Sequence, residues 1–430
     1  MNTIVVLMGL LLLSYLGAFL TAGSKGLGGL PSASEFLVVG VLAGPLVFDA
    51  VTSATLETFD PLAYVAAGWL ALSSGLEYGY AGSRRVRLPR MALGVALAIA
   101  CGGLVACAIW FVAPSFATLG FADRVLLAGG MGCVCAESSR HGIEWVIRRD
   151  AAFGAVTSLV RDLSHSDEVV PIAAVALLFA LRPPAHAIVH LPSLGWAGVT
   201  LGMGVLLGSL TALLLARDLR VAESWGTLLG TSLMTIGLAA RLDLAALTAM
   251  FALGASIAWF SRHGSDIRAM VHTTERAVVL PALVLAGARI EPSTIGKLAW
   301  LAPIAIAVRL LAKLLSGWLV RASGPARGTS ALFGLGLASS GGMSILIGLT
   351  MALRFPGRIG GTVLATAVAV SVVGELTGPV FLRRILGRAG EITAPEPVVT
   401  PLVAVDEIAG VSDPGSADDG SDRPTATGDA

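Results

Sequence analysis

Charged residues are scarce in this sequence. Only 13% of its 430 residues are Asp, Glu, Lys or Arg, compared with roughly 25% in soluble globular domains. Hydrophobic residues make up 55% of the chain, which is more apolar surface than a soluble fold of this length can bury. The composition therefore excludes an ordinary soluble enzyme and an intrinsically disordered chain, and it predicts a polytopic membrane protein.

Cysteine is scarce as well. The four cysteines all lie in apolar stretches, which excludes a disulfide-stapled secreted domain. Cys133 and Cys135 have no further Cys or His at ligand spacing, so they are a weak zinc signal and more typical of small buried side chains. Runs of Lys and Arg are absent too, and nothing indicates a nucleic-acid partner. We expect no cofactor and no resident metal.

The charges are unevenly distributed along the chain. Residues 391–430 contain nine acidic residues and one basic residue and are rich in Pro, Gly, Ser and Ala. We therefore predict a transmembrane domain over residues 1–390 and a disordered, acidic cytoplasmic tail over residues 391–430. The first twenty residues lack a basic leader and a clear small-residue cleavage site, which predicts an uncleaved span rather than a signal peptide.

Thirteen segments are apolar over a length that can span a bilayer as a helix, for which about 20 residues are needed. No segment shows the alternating pattern of a membrane β-barrel, so the predicted fold is all-α. The predicted spans are residues 3–21, 34–50, 61–80, 91–113, 122–147, 153–181, 196–216, 225–241, 244–261, 274–289, 298–320, 330–353 and 359–382.

The basic residues between these spans predict the orientation. Sixteen Lys and Arg residues lie in connections that follow odd-numbered spans, and six lie in connections that follow even-numbered spans. Cytoplasmic loops carry the excess of positive charge. We therefore predict a multi-pass protein of the plasma (inner) membrane, in contact with the lipid bilayer, with its N-terminus outside and its C-terminus in the cytoplasm.

The fifth and twelfth spans are interrupted by glycines and polar residues at mid-depth. They lie seven spans apart and so enter the membrane in opposite directions, which is the pattern of two inverted repeats with paired broken helices at a transporter's binding site. Irregular backbone at this depth must line protein or water. Close packing through small residues would explain the glycines alone. The residues predicted to line the site at the two breaks are Glu137, Ser138, Ser139, Arg140, Ser339, Ser340, Gly341 and Gly342.

Charged residues also occur inside or beside other spans. Asp167 and Glu168 directly precede the apolar run of the sixth span, and Lys313 follows Arg309 by one helical turn in the eleventh. A charge at the bilayer centre costs about 2.5–3.5 kcal/mol even on insertion scales, so such residues are functional candidates. The alternatives are a solvated helix end for the acids and a snorkelling side chain for Lys313. Two adjacent acids resist simultaneous ionisation, which lets one exchange a proton for a cation.

The ordered set of motifs resembles the monovalent cation:proton antiporters, in their Kef-type and NapA-like branch. The resemblance covers most of residues 1–390 and implies thirteen helices in a dimerisation domain and a core domain, two crossing broken helices at spans five and twelve, elevator-like alternating access and a homodimer. The matching pieces are Leu37–Pro45, Leu70–Glu77, the fifth-span glycines up to Ile143, Asp167–Ile172, Pro281–Gly287, Lys313, Leu337–Ser344 and Gly378–Arg383.

The resemblance also implies an activity, the exchange of Na⁺ or K⁺ for H⁺ by a secondary transporter. The family's acidic pair falls on Asp167 and Glu168 and its core basic residue on Lys313. Glu168 would bind the cation and the proton in competition, and Asp167 would pair with Lys313 or share the ion. Backbone carbonyls near Ser138 and Ser139 would complete the oxygen shell of a transient Na⁺ or K⁺.

The sequence departs from the family pattern at three positions. The second acid of the pair is Glu168 instead of the usual Asp, and a shift of the register by one residue would make Asp167 the essential acid. Glu137 and Arg140 also replace the small hydroxyl or Asp residues that are usual in the fifth span. Arg140 could neutralise Glu137, or its charge could occupy the site and favour another substrate.

Two other functions are compatible with parts of the sequence. A gated K⁺ efflux channel or a transporter of an organic substrate could use the same scaffold, although no TVGYG-like filter is present. An intramembrane serine hydrolase could use Ser339 or Ser340, although no Gly-x-Ser-x-Gly motif is present. The prediction is therefore a secondary transporter and not an enzyme.

Overall fold

The computed structural model describes residues 34–48, 51–83, 88–182, 191–216, 221–291, 296–322 and 332–392, together with residues 9, 12 and 330. The described chain consists of α-helices and three 3₁₀ segments, Ala113–Ser115, Gly296–Trp300 and Phe333–Leu337. The helices are α1 (Ser34–Ala43), α2 (Ser53–Thr58), α3 (Asp60–Ser83), α4 (Leu88–Val112), α5 (Phe121–Ala136), α6 (Arg140–Arg149), α7 (Ala155–Asp167), α8 (Val169–Ala180), α9 (Ser193–Leu215), α10 (Val221–Arg241), α11 (Ala246–Phe260), α12 (Gly264–Ala288), α13 (Leu301–Ala322), α14 (Gly342–Arg354) and α15 (Arg358–Arg388).

The predicted spans from the second to the thirteenth each coincide with a described helix or helix pair. The fifth span consists of α5 and α6, the sixth of α7 and α8, and the twelfth of the 3₁₀ segment Phe333–Leu337 followed by α14. Six described helical segments are long and apolar enough to cross a membrane. The predicted all-α, polytopic membrane fold is thereby confirmed. The first predicted span, residues 3–21, lies outside the described residues except for positions 9 and 12.

Helix α9 has one side of large apolar residues and another side of glycines that packs against a neighbouring helix. Leu206, Leu210 and Leu213 share one helix face and are exposed, and such a row of large apolar side chains is typical of a surface that faces lipid rather than water. On its other side Gly204 and Gly208 lie directly against the backbone of α11. Small residues are what allows two membrane helices to approach this closely.

The helices form two bundles. In the first bundle (α1, α3 and α9–α12), α3 and α9 pack on α11, and α1 packs on α12. In the second bundle (α4–α8 and α13–α15), α4 packs on α5, α7 and α13, and α15 packs on α14. The triplet formed by α4, α5–α6 and α7–α8 is followed later in the chain by a triplet formed by α13, the broken twelfth span and α15. Each triplet has a broken helix in its middle, which agrees with the order expected of inverted repeats.

Glu391 attaches the end of the described chain to the second bundle. Its carboxylate accepts hydrogen bonds from the backbone amides of Val156 and Thr157 and from the Thr157 hydroxyl, each at 2.7 Å. These amides belong to the first turn of α7, where N–H groups have no partner within the helix. Glu391 and Ile392 are part of the described fold, whereas the rest of the predicted tail, residues 393–430, lies outside the described residues.

We expect Glu391→Ala to lower the free energy of unfolding by about 1–3 kcal/mol, because a charged cap with three hydrogen bonds is lost. Thermal unfolding of the detergent-solubilised protein measures the change. Asp266→Ala is the matched control, because Asp266 also lies in the first turn of a helix but its side chain is 78% exposed. An equal loss for both variants would mean that the contacts of Glu391 contribute nothing specific.

Candidate functional site

The two broken helices meet at their breaks. Residues 137–139 separate α5 from α6, and residues 338–341 separate the 3₁₀ segment Phe333–Leu337 from α14. The backbone amide of Ser139 donates to the carbonyl of Ser339 at 2.9 Å. Because this hydrogen bond joins the middle of one break to the middle of the other, the site residues predicted at the two breaks lie together. The six polar residues among them, Glu137, Ser138, Ser139, Arg140, Ser339 and Ser340, are all buried.

Serine side chains stabilise the irregular backbone at the breaks. Ser139 is extended (φ −61°, ψ 107°) and caps α6, because its hydroxyl accepts from the amide of Gly142 at 3.2 Å. In the second break, the hydroxyls of Ser340 and Ser344 are 2.9 Å apart, and Ser371 donates to the carbonyl of Gly341 at 3.3 Å. These local hydrogen bonds satisfy some of the polar groups that a continuous helix would pair, and such groups need partners at membrane depth.

Arg309 ties the two breaks together from α13. Its side chain is buried, and within the described residues its guanidinium donates to four backbone carbonyls at the ends of the two broken segments. Such ends carry partial negative charge, which a buried cation stabilises. The acceptors are the carbonyls of Cys135 at 3.0 Å, Glu137 at 2.7 Å, Ala338 at 2.6 Å and Ser339 at 3.3 Å.

Lys313, one turn further along α13, reaches the acidic pair. Its Nζ lies 3.7 Å from Asp167 Oδ2 and donates to the Ser138 hydroxyl at 2.7 Å and to the Ala136 carbonyl at 3.2 Å. The other carboxylate oxygen of Asp167, Oδ1, is buried and accepts no hydrogen bond from the described residues. The structure therefore brings Asp167, Lys313 and Ser138 together and leaves one carboxylate oxygen available.

The two neighbouring acids lie at the kink between α7 and α8. Pro171 follows four residues after Asp167 and has no N–H to donate to its carbonyl, which interrupts the helix at this point. Adjacent side chains on a helix point about 100° apart. Accordingly, Asp167 faces Lys313, whereas Glu168 Oε2 lies 3.9 Å from Nη1 of Arg140.

The nearest carboxylate to Arg140 is another acid, Glu77 of α3. The two side chains form a direct ion pair, and His165 Nε2 lies 3.6 Å from the same carboxylate of Glu77. Arg140 and His165 belong to the second bundle and Glu77 to the first. This cluster therefore connects the two bundles at the site.

A small cavity opens beside these groups. Glu137 is fixed at its edge, because its carboxylate accepts a hydrogen bond from Ser344 of α14. The cavity lining includes the carboxyl groups of Glu137 and Glu168 and the hydroxyl groups of Ser74 and Ser139, and oxygen ligands of this kind suit hard cations. The lining residues are Leu70, Ser74, Glu137, Ser139, His141, Glu168, Gly342 and Met343.

No protein-family model matches the chain, and no curated protein sequence does. Among solved structures, it is similar to the sodium proton antiporter MjNhaP1 from Methanocaldococcus jannaschii at pH 8, with a TM-score of 0.66, 14% identity, and coverage of 89% of this chain and 97% of that chain. The chain shares the fold of this sodium proton antiporter. An electron-microscopy structure of MjNhaP1 gives a TM-score of 0.56 at 15% identity, covering 91% of this chain and 97% of that chain.

Three charged or titratable residues at the site could not be identified as site residues from the sequence. Glu77, His141 and Glu275 lie near the ends of predicted spans, where charged side chains are usual. Glu275 is nevertheless buried, because α12 begins at Gly264, ten residues before the predicted span. The signal that could have identified Glu275 is the pair His272 and Glu275, which share one helix face at a spacing of three residues.

The position of Lys313 depends on a close approach between α13 and the 3₁₀ segment Phe333–Leu337. A Cβ atom at Gly334 would collide with the backbone carbonyl of Lys313. We expect Gly334→Ala to lower the free energy of unfolding by about 1–3 kcal/mol, the usual cost of overpacking. The measurement is thermal unfolding in detergent. Gly198→Ala is the control, because nothing lies within 4 Å of a Cβ there, and equal destabilisation of both variants would contradict the argument.

Proposed function

We propose that the protein is a secondary antiporter, not an enzyme, and that it exchanges a monovalent cation, Na⁺ or K⁺, for H⁺ by alternating access. The observation that carries the proposal is the position of Asp167 and Glu168, both buried, beside the crossing of two broken helices. Charged residues at membrane depth mark ion pathways and proton relays, and broken helices mark the binding sites of transporters. The fold shared with an antiporter named for sodium and protons adds support.

The charge balance of the site supports an exchange of cations and protons. With neutral histidines, the five acids outnumber the three fixed cations by two. Buried charge without a partner is costly, and either a proton or a monovalent cation can reduce the excess. Because each relieves the same excess, binding of one disfavours binding of the other. The acids are Glu77, Glu137, Asp167, Glu168 and Glu275, and the cations are Arg140, Arg309 and Lys313.

Glu168 is the carboxylate that we assign to the cation and the proton in competition. It lines the cavity together with Ser139 and Glu137, and Arg140 is bound more closely to Glu77 than to Glu168. Asp167 is held by Lys313 and offers its unpaired Oδ1 to a shared ion. Hydroxyl and carbonyl oxygens of the breaks complete a shell suited to Na⁺ or K⁺, which are transported ions and not a resident metal.

The finer assignments rest on the sequence motifs. We place the protein in the Kef-type and NapA-like branch because the acidic pair at residues 167–168 and the basic Lys313 occur together in the order of that branch. The same resemblance supports a homodimer, for which light scattering of the purified protein is the test.

The distribution of basic residues supports an orientation in the plasma membrane with the N-terminus outside and the C-terminus in the cytoplasm. Sixteen basic residues lie in loops after odd-numbered spans and six in loops after even-numbered spans. A reporter fused to the C-terminus tests this orientation.

Transport by the purified protein in liposomes tests the function. The liposomes carry an internal pH dye and an imposed proton gradient, and Na⁺, K⁺, Li⁺ or choline is added in turn. We expect proton movement on addition of Na⁺ or K⁺ and none with choline. No response of folded protein to any alkali cation would overturn the proposal and favour an organic substrate, and currents far above carrier turnover would overturn it in favour of a channel.

A further inference from the structure

A second cluster of ligand-type side chains lies beside the cavity. Glu275 Oε1 lies 3.0 Å from Nε2 of His141, and His272 lies one turn before Glu275 on the same helix, α12. One ligand atom from each of His141, His272 and Glu275 lies within 4.8 Å of the others. The three side chains therefore converge on one point from two helices.

The three ligands match the preferences of zinc. Two imidazole nitrogens and one carboxylate oxygen, with a fourth position open, form a common Zn²⁺ site. Ligands about 2.0–2.1 Å from a tetrahedral zinc lie about 3.3 Å apart, so the separations between the three atoms need to shrink by at most about 1.5 Å. His272 is exposed and can supply this movement by rotating its side chain.

The surroundings of Glu275 also fit a metal ligand. Its second oxygen, Oε2, accepts a hydrogen bond from Ser73 at 2.7 Å. Hydrogen bonds of this kind orient a ligating carboxylate and strengthen its binding. Binding of a metal to His141 Nε2 replaces the contact of this nitrogen with Glu275, so any proton that His141 holds there is released.

We propose that His141, His272 and Glu275 form a binding site for Zn²⁺ or a similar divalent transition metal. His141 lies on α6 of the second bundle, and the other two ligands lie on α12 of the first. A bound metal therefore links the two bundles. This step rests on the proposed function, because alternating access requires parts of the protein to move relative to each other. With the two bundles linked by the metal, we expect Zn²⁺ at this site to inhibit transport.

Calorimetric titration of the full-length, detergent-solubilised protein with ZnCl₂ tests the site without any transport. We expect one Zn²⁺ per chain. His272→Ala should weaken binding at least 10-fold, because even second-shell partners contribute about 10–100-fold, and His272→Cys, which keeps a zinc ligand, should restore it. His263→Ala is the control, because His263 is half exposed beside the same helix and outside the cluster. No binding by folded wild type, or equal binding by wild type and His272→Ala, would overturn the site.

Transport with and without Zn²⁺ then tests inhibition. We expect Zn²⁺ to slow wild-type exchange and to leave His272→Ala unaffected, and equal inhibition of both would overturn the link between the bundles. If the wild type transports no alkali cation, the proposed function fails while the calorimetric result still decides the metal site. The two failures are thereby distinguishable.

Discussion

Glu168→Gln should reduce cation-dependent proton movement in liposomes about 100-fold or more, to the level of protein-free liposomes. Glutamine keeps the shape of the side chain but can neither hold a proton nor balance a cation, and positioned proton-transfer groups contribute about 10²–10⁴-fold. The fold should tolerate the change, because Arg140 keeps its direct ion pair with Glu77. The measurement is dye-reported proton movement together with thermal unfolding, and we expect lost transport with nearly unchanged stability.

Glu144→Gln is the matched control for this change. Glu144 lies on α6 close to the site, but its side chain pairs with Arg161 and does not line the cavity. The same removal of one carboxylate charge should leave transport at the wild-type level. A loss of transport in both variants would mean that the assay responds to charge near the site in general, and the assignment of Glu168 would fail.

Asp167→Asn should produce a different result from Glu168→Gln. The ammonium of Lys313 would keep its hydrogen bonds to the Ser138 hydroxyl and the Ala136 carbonyl. It would lose its ion pair with Asp167, the one carboxylate that it pairs with among the described residues. Removing one partner of a buried ion pair costs about 3–5 kcal/mol, so both stability and transport should fall. If instead Glu168→Gln transports and Asp167→Asn is inactive but folded, Asp167 is the essential acid. Normal transport by both variants would contradict a carboxylate mechanism.

The helices and the breaks could be predicted because they depend on properties local to the sequence. Apolar runs of about 20 residues predict the membrane spans. The glycines and polar residues near Ser138 and near Ser340 predict where two of the helices are broken. An acidic partner for Lys313 could be expected, because an unpaired ammonium group buried in the middle of a membrane span has a high free-energy cost. The resemblance supplied the identity of that partner, Asp167, since the two residues are far apart in the sequence.

The contacts between the bundles could not be predicted, for a physical reason. Hydropathy gives the depth of a residue in the membrane but not the direction in which its side chain points around the helix axis. Glu77 and Glu275 both lie near the ends of predicted spans, and only the fold shows that Glu77 faces Arg140 and that Glu275 faces His141. Nothing in the spacing of Arg309 and Lys313 indicated that Arg309 would donate to backbone carbonyls and that Lys313 would pair with a carboxylate.

Arg309→Met should destabilise the protein more than any other single change considered for the site. The buried carbonyls of Glu137 and Ala338 would lose the donor that Arg309 supplies, and those of Cys135 and Ser339 would each lose one of two donors. Each buried acceptor left without a donor costs about 1–3 kcal/mol, and the two weakened acceptors add to this, so we expect a loss of about 4 kcal/mol or more. The excess of negative charge in the site would also grow by one. The expected observation is a strongly lowered unfolding temperature or the absence of monodisperse protein.

Arg309→Lys tests the role of the guanidinium in a milder variant, in case Arg309→Met does not fold. Lysine keeps the charge but has three donors on one nitrogen, whereas the guanidinium presents a fork that can reach both breaks. We therefore expect an intermediate loss of stability and weaker transport. Arg321→Met is the control, because Arg321 is exposed in the last turn of the same helix and should cost less than about 1 kcal/mol. If Arg309→Lys matched the wild type in both measurements, the positive charge alone would hold the breaks together, and the geometry of the four hydrogen bonds would be dispensable.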